Sequence, residues 1–269
     1  GAESAIVVNN CAAAVLIALN TIARDREVLV SRSELVEIGG GFRVPEIMEA
    51  SGCRLVEVGT TNKTRIADYV KRAKPKPAAL LKVHQSNFVQ KGFVESVSLA
   101  ELAKLGNRLR VPVIYDNGSG LLTSSGLPFL ADEPNIEQNL KDGASIVVSS
   151  ADKLLGSAQA GLILGKKTLV EQMAKNPLYR ALRLDKVRIA LLRYTLTQYL
   201  TGSETALPVW QMTTASLERC REKLRLPRGV EWVALKAETG GGSNPERPFD
   251  SLGLRFVGGD ALIRTIMVL

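Results

Sequence analysis

A lysine and an aspartate with complementary chemistry lie at the ends of predicted strands. Lys153 follows the run 145–149 inside a loop of small and polar residues that reaches Gly156, and Asp116 closes the apolar run 111–116. A loop lysine whose surroundings lower its pKa forms an imine with an aldehyde cofactor. An aspartate at the carboxyl end of a parallel strand can hold a pyridine nitrogen protonated. Each residue alone fits an ordinary loop lysine or helix cap, but the pair predicts a catalytic site for pyridoxal phosphate.

The first predicted strand runs into residues that could bind the phosphate of this cofactor. Asn10, Cys11 and Ala12 open a predicted helix at the carboxyl end of that strand. Free amides and the positive end of the helix dipole favour an anion there, although asparagine is also a common helix cap. Ser150 is predicted as a second phosphate contact, and a serine bonded to the backbone is the alternative.

The segment 82–88 carries the single histidine of the chain at the end of another apolar strand. It precedes Asp116 by about one strand-helix-strand unit, so its polar side chains are expected at the same edge of the sheet. His84 is therefore a candidate for acid–base catalysis or for contact with the cofactor ring, and Asn87 is a candidate for cofactor binding. A single histidine is as often a structural hydrogen-bonding residue.

Two arginines are spaced like an anion-binding pair. Arg180 and Arg183 stand at positions i and i+3 of a predicted helix, which would put both guanidinium groups on one helix face. Paired arginines suit a tetrahedral oxyanion. An exposed basic helix face is the alternative explanation.

Composition limits the classes of protein to consider. Of the 269 residues, 45% are hydrophobic and 23% are charged, which excludes disordered and collagen-like chains. The three cysteines are far apart and lack CxxC spacing, so neither a disulfide framework nor a structural metal site is expected. The apolar stretch 11–19 is too short to cross a bilayer, so no membrane association and a cytoplasmic location are expected.

The net charge of +8 indicates an anionic partner. Many of the positive charges lie in two stretches, 71–76 and 180–193. The first stretch is interrupted by proline, and a solvated basic loop explains it equally well.

Strand and helix patterns alternate over the first two thirds of the chain. This rhythm predicts an α/β fold with a mostly parallel sheet covered on both faces. The run 160–165 follows the lysine loop too closely for a crossover helix, so it is predicted to return antiparallel. The predicted strands are 5–8, 28–31, 54–58, 78–83, 111–116 and 145–149, and the predicted helices are 12–22, 45–51, 66–72, 99–109, 136–142 and 183–200.

The length of the chain and its loop-forming segments predict two domains. Residues 1–200 would form a large cofactor-binding domain, and residues 201–269 a partial small domain with a loop at 239–245 and an apolar end at 261–269. The chain starts at Gly1 without an initiator methionine and enters a strand almost at once, so we expect that upstream sequence is missing.

Seven long motifs in register give the chain a family resemblance. They are 8–10 (VNN), 30–40 (VSRSELVEIGG), 57–64 (EVGTTNKT), 82–88 (KVHQSNF), 152–156 (DKLLG), 159–161 (QAG) and 180–186 (RALRLDK). In this order they resemble the bacterial L-seryl-tRNA(Sec) selenium transferase, or selenocysteine synthase, family. The pattern departs from the family at Cys11, at Ala151 and at residues 157–158, where the family usually has asparagine, glycine and Gly-Pro.

The resemblance implies a three-layer, fold-type I, aspartate aminotransferase-like large domain with an abbreviated small domain. It implies conversion of seryl-tRNA(Sec) to selenocysteinyl-tRNA(Sec) with selenophosphate, through an aminoacrylate intermediate. In that reaction Lys153 would carry pyridoxal phosphate, Asp116 would pair with its ring nitrogen, and Arg180 and Arg183 would hold the phosphate of the donor. The family assembles as dimers and as rings of dimers, so self-association is expected.

Two other functions remain open for a fragment or shortened homologue. One is a related β-eliminating ammonia lyase that acts on a small amino acid or an amino sugar phosphate without tRNA. The other is a cofactor-free remnant that serves only as a scaffold.

Overall fold

The computed structural model describes residues 1–38, 41–202, 214–237 and 248–257. In chain order these residues form β1 (Ser4–Val8), α1 (Cys11–Ala23), β2 (Glu27–Ser31), β3 (Glu37–Ile38), β4 (Phe42–Arg43), α2 (Val44–Ala50), β5 (Arg54–Val58), α3 (Ile66–Arg72), β6 (Ala79–Val83), α4 (Leu99–Leu109), β7 (Val113–Asn117), α5 (Ile136–Lys141), β8 (Ile146–Ser150), β9 (Gly161–Gly165), α6 (Lys167–Lys175), α7 (Pro177–Leu182), α8 (Lys186–Leu200), α9 (Thr214–Lys223), β10 (Val230–Ala237) and β11 (Phe249–Phe256).

A mostly parallel sheet is the centre of the fold. Within the described ranges it has seven strands in the order β1-β9-β8-β7-β6-β2-β5. Strand β9 runs antiparallel to β1 and β8, as predicted for the run that follows the lysine loop. The other neighbouring pairs are parallel. The carboxyl ends of β2, β5, β6, β7 and β8 therefore meet at one edge of the sheet, and we refer to it as the carboxyl edge.

Helices cover both faces of this sheet. Strands β7 and β8 are buried at every residue, which explains why their sequences are apolar rather than alternating. Helices α1, α2 and α6 pack on one face through side chains such as Ile17 and Met48. Helices α3, α4, α5 and α8 pack on the other face through side chains such as Leu102 and Ile136. The prediction of a three-layer α/β fold is thus confirmed.

The long helix predicted to begin at Arg183 begins later. Helix α7 ends at Leu182, and α8 starts at Lys186. The Asp185 carboxylate accepts hydrogen bonds from the amides of Val187 and Arg188, at 2.9 and 3.0 Å, and so fixes the start of α8. The boundary was mispredicted because the helical pattern continues across this cap.

The described part of the C-terminal region contains α9 and an antiparallel pair, β10 with β11. The ring of Phe249 at the start of β11 stacks on Phe129, with 4.8 Å between the ring centroids. The division at residue 200 stays a prediction. The loop predicted at 239–245 and the apolar end at 261–269 lie outside the described residues.

Among the described helices, none is both long enough and apolar enough to span a bilayer.

Candidate active site

Lys153 lies in a loop that backbone hydrogen bonds hold against the carboxyl edge. The amide of Ala151 donates to the carbonyl of Ala160 at 2.9 Å, and the amide of Leu154 donates to the carbonyl of Ser119 at 3.0 Å. Ala151 is fully buried and does not have a positive φ, so the backbone there has no need of glycine. Lys153 is half-buried between these anchors, which fixes the direction in which its amine can reach.

Asp116 is a buried carboxyl group near the end of β7, with 5% of its surface exposed. Burial raises its pKa to about 6, against the opposing effects of a hydrogen bond from Cys11 and the charges of Lys153 and His84. The Cys11 thiol donates to Oδ1 of Asp116 at 3.4 Å, and burial together with this carboxylate raises the pKa of the thiol. Asp116 is therefore mostly ionised at neutral pH but is easily protonated.

The lysine and the aspartate face a common space above Gly118. A Cβ atom added to Gly118 would lie 3.9 Å from Nζ of Lys153 and 3.9 Å from Oδ1 of Asp116. The amine and the carboxylate are thus less than about 8 Å apart. The structure therefore brings together the two residues that the sequence analysis placed at the centre of the site.

Helix α1 begins beside this pair. The side chain of Asn10 accepts a hydrogen bond from the amide of Ala13 at 2.8 Å and so caps the helix. The amides of Cys11 and Ala12 belong to the first turn, where the helix dipole favours an anion. Both explanations given for Asn10 are compatible with this arrangement, because a capped helix start still presents first-turn amides.

Ser150 is bonded neither to the backbone nor to a position open to a phosphate, but to a neighbouring carboxylate. Its hydroxyl donates to the Asp152 carboxylate at 2.8 Å. That hydrogen bond holds the start of the lysine loop, and the hydroxyl cannot donate to a cofactor phosphate at the same time.

His84 lies next to Asp116 but is held by a residue that the sequence did not reveal. Its amide donates to the carbonyl of Asp116 at 2.9 Å, and its Nε2 lies 3.1 Å from Oε1 of the buried Glu133. Asn87, three residues later, donates to the carbonyl of Glu37 at 2.8 Å. None of the described contacts joins Asn87 to Lys153 or Asp116. Glu133 could not be identified in advance because it sits in an irregular loop without a motif.

A buried ion pair shares a cavity with His84. Nζ of Lys82 lies 2.8 Å from Oε1 of Glu34, and the second oxygen of Glu34 accepts from the amide of Val83. These residues line a cavity of about 270 Å³ together with His84 and Tyr115. This pair could not be identified from the sequence, because three strands and two helices separate Glu34 from Lys82. The pair fixes the carboxyl end of β6, from which His84 projects.

The arginine pair is not arranged as the sequence predicted. Arg180 lies within α7, but Arg183 lies beyond the end of that helix in an extended conformation. The backbone of Arg183 pairs with Val8 at the end of β1. The prediction that both guanidinium groups share one helix face is therefore wrong, because this long-range pairing ends the helix first. Arg183 instead stands beside the strand that leads into α1.

The residues of this site fit pyridoxal phosphate. The space above Gly118 is bounded by an amine and a carboxylate, and the start of α1 lies beside it. Two and three residues after His84, the buried Oγ of Ser86 and Oδ1 of Asn87 have no hydrogen-bond partner among the described residues. Buried polar atoms of this kind are normally satisfied, so a polar ligand at the carboxyl edge would account for them. Among the described residues no cluster has the make-up of a metal site.

Replacing Gly118 by alanine is expected to weaken pyridoxal phosphate binding about 5- to 150-fold, because the methyl group would fill the shared space at a typical cost of about 1–3 kcal/mol. The stability of the cofactor-free protein should stay close to wild type, since the added Cβ makes only ordinary contacts at 3.9 Å. Cofactor titration and urea unfolding measure the two effects.

The matched control is Gly161→Ala, whose Cβ would clash with the carbonyl oxygen of Asn10. That variant should lose stability whether or not cofactor is present. If Gly118→Ala binds cofactor as tightly as wild type, the space above Gly118 is not the cofactor site.

Comparison with known proteins gives a consistent result. The profile of the L-seryl-tRNA selenium transferase family (SelA) matches residues 1–267. The L-seryl-tRNA(Sec) selenium transferase of Alkaliphilus metalliredigens (strain QYMF) is 52% identical over 226 residues, which cover 83% of this chain and 48% of that protein. The one from Solidesulfovibrio magneticus (strain ATCC 700980 / DSM 13731 / RS-1) is 48% identical over 260 residues, covering 92% and 55%. The chain thus spans about half the length of the curated relatives that it matches.

Solved structures agree on the fold. D-glucosaminate-6-phosphate ammonia-lyase superposes with a TM-score of 0.68 at 21% identity, covering 95% of this chain and 66% of that one. A double mutant of Thermus thermophilus aspartate aminotransferase gives a TM-score of 0.55 at 20% identity, covering 82% and 55%. The predicted aspartate aminotransferase-like, fold-type I architecture is confirmed. At these identities the likeness concerns the fold alone.

Proposed function

The chain belongs to the L-seryl-tRNA selenium transferase family, and we propose that it forms the catalytic core of an enzyme that converts seryl-tRNA(Sec) to selenocysteinyl-tRNA(Sec). Selenophosphate would be the donor. The seryl C–O bond breaks and its oxygen leaves as water, the selenium forms a bond to the β-carbon, and water cleaves the Se–P bond so that phosphate is released. The observation that carries this proposal is the convergence of the Lys153 amine and the Asp116 carboxylate on one space. The substrate is the one in the names of the relatives.

Pyridoxal phosphate is the cofactor of this family and fold. When bound, it withdraws electrons from the α-carbon of an amino acid and so eases loss of the α-proton and of a β-substituent. Lys153 would anchor it covalently and, once released, would accept and return the proton at the α-carbon of the seryl group. Asp116 would keep the pyridine nitrogen protonated, and the thiol of Cys11 would orient that carboxylate. The first-turn amides of α1 would receive the phosphate.

The role of His84 follows from its two contacts. Its ring is held by Glu133, and its backbone is held by Asp116 at the same edge of the sheet. A histidine fixed in this way can pack against the cofactor ring or exchange a proton with the substrate. We assign it to the catalytic site on that basis.

Arg180 and Arg183 would bind the oxyanion of selenophosphate. Arg183 supports this role more strongly, because its pairing with Val8 places it beside the strand that leads into α1. It also lines a cavity of about 530 Å³ together with Lys186, so two cations border the same space.

Arg183→Gln is expected to raise the KM for selenophosphate by about 10- to 100-fold, the usual cost of losing a charge-assisted hydrogen bond of 1.5–3 kcal/mol. Affinity for seryl-tRNA(Sec) should change much less. Steady-state kinetics with each substrate varied in turn measures both. Arg193→Gln removes an equal charge from the exposed side of α8 and is the control; if both variants raise the KM equally, Arg183 has no specific role.

Helix α8 supports self-association. Val187, Leu191 and Tyr194 follow helical spacing and are 69%, 49% and 66% exposed, so this face presents an apolar stripe to solvent. We propose that a second copy of the chain covers it. Sedimentation velocity tests this self-association. A protein that stays monomeric at all concentrations would contradict it. We also propose a cytoplasmic location, which a reaction on tRNA would require.

The function is tested with the full-length protein, pyridoxal phosphate, seryl-tRNA(Sec) and selenophosphate, with selenocysteinyl-tRNA(Sec) measured as product. Free serine and an amino sugar phosphate form the second arm, with ammonia release measured in the absence of tRNA. Ammonia release without selenocysteinyl-tRNA would replace the proposal with the lyase function. If no cofactor-dependent visible absorbance is found, the scaffold function is the alternative that remains.

A further inference from the structure

Five basic side chains line a groove at the end of the sheet where β5 forms the edge. The groove has a volume of about 450 Å³ and also contains Glu57 and Asp68. We refer to it as the basic groove, and its basic residues are Arg32, Lys63, Arg65, Lys71 and Arg72. It includes the start of the basic stretch 71–76, for which sequence alone left an anionic partner and a solvated loop equally open.

The acidic residues neutralise only part of this charge. Arg32 pairs with Glu57 at 2.5 Å, and Arg65 pairs with Glu95 at 2.9 Å. The Asp68 carboxylate accepts a hydrogen bond from the amide of Arg65 and so caps the start of α3. In the part of the chain that the structure describes, Lys71 and Arg72 form no ion pair, and both are exposed. The groove therefore keeps a net positive charge.

A fixed turn presents one of these cations. Gly59 has a φ of +73°, and a Cβ there would clash with Oγ1 of Thr64, so only glycine fits. The amide of Thr60 donates to the carbonyl of Lys63 at 2.9 Å and closes the turn. Nζ of Lys63 lies 5.6 Å from the centre of the Phe93 ring, a contact that leaves the ammonium group available to a second ligand.

The groove opens on the same edge as the catalytic residues. Arg32 directly follows β2, and Gly59 directly follows β5, so both lie at the carboxyl edge with Asp116 and Lys153. Strand β5 is three strands from β7 in the sheet, a separation of roughly 14 Å. A ligand with several phosphates along a chain could therefore contact the groove while its reacting end lies at Lys153.

We propose that the basic groove binds the phosphodiester backbone of the tRNA substrate. This rests on the proposed function, which supplies a polyanion whose aminoacyl end must reach Lys153. Binding is to phosphates, because the groove offers ammonium and guanidinium groups on flexible stems. The positive excess at this end of the sheet then has a ligand, and the basic stretch 71–76 is its outer part.

The test uses the holoenzyme with Lys63→Gln, Lys71→Gln and Arg72→Gln combined. Affinity for seryl-tRNA(Sec) is expected to fall at least about tenfold at moderate salt, and the slope of log Kd against log salt should become less steep by about 2 to 3. The matched control combines Lys166→Gln, Lys167→Gln and Lys175→Gln around α6, which removes the same charge from exposed positions on the opposite face. Visible absorbance of the bound cofactor confirms that each variant is folded.

The outcomes separate this inference from the function on which it rests. If the wild-type protein fails to bind seryl-tRNA(Sec), the proposed function and the groove assignment are both wrong. If wild type binds and the groove variant keeps the affinity and salt slope of the α6 control, the groove assignment alone is wrong. Inorganic phosphate is a second probe: if the groove variant loses phosphate binding but keeps tRNA binding, the groove is a small-anion site.

Discussion

Replacing Lys153 by alanine is expected to remove the visible absorbance of the lysine-bound cofactor and to lower kcat by roughly 10³-fold or more, because one side chain supplies both the covalent anchor and the proton carrier. The variant still offers the cofactor the charge of Asp116 and the positive end of the α1 dipole, so some noncovalent binding should persist. Absorbance spectra and single-turnover assays measure the two effects separately.

Two controls isolate the amine. Lys153→Arg keeps a positive charge near Asp116 but cannot form the covalent link, so it should fail as alanine does. Lys175→Ala removes an exposed lysine from the end of α6 and should leave both readouts unchanged. A small primary amine added to Lys153→Ala should restore part of the rate. If Lys153→Ala keeps the absorbance and the rate of wild type, another residue carries the cofactor.

The sequence was sufficient for the framework of the site because that framework follows from local patterns. The apolar runs in β6, β7 and β8 required a sheet buried on both faces, and parallel strands bring their carboxyl ends together. His84, Asp116 and Lys153 follow or end those strands, so their proximity needed no knowledge of tertiary contacts. The antiparallel β9 followed from the shortness of the lysine loop alone.

What the sequence did not reveal depends on contacts between distant segments. The spacing of Arg180 and Arg183 is helical, yet Arg183 is extended because its backbone pairs with Val8. Glu133 beside His84 and Glu34 beside Lys82 have no local signal, since each partner comes from another part of the chain. The hydrogen bond of Cys11 to Asp116 is of the same kind. Partners of this kind are chosen by packing, which periodicity does not encode.

The second large effect is expected for Asp116→Asn, which should lower kcat by roughly 10²-fold or more while stabilising the cofactor-free protein. The loss arises because a neutral amide cannot hold a pyridine nitrogen protonated. The gain arises because the buried carboxylate is costly to ionise in the fold. Its pKa is raised from 3.8 to about 6 even with Lys153 and His84 nearby. Removing the charge should stabilise the apoprotein by on the order of 3 kcal/mol at pH 7.5.

The pH dependence fixes the cause of that gain. Between pH 4 and 6 the native Asp116 retains a proton that the unfolded chain releases, so this residue makes wild-type stability fall as pH rises through that window. The variant lacks this contribution, so its advantage in urea unfolding should be near zero at about pH 4 and complete above pH 7. The buried Glu34 also has a raised pKa, but it is present in both proteins and cancels in the difference. An advantage of the same size at both pH values would show that the amide packs better than the carboxyl, and the ionised Asp116 would no longer explain it.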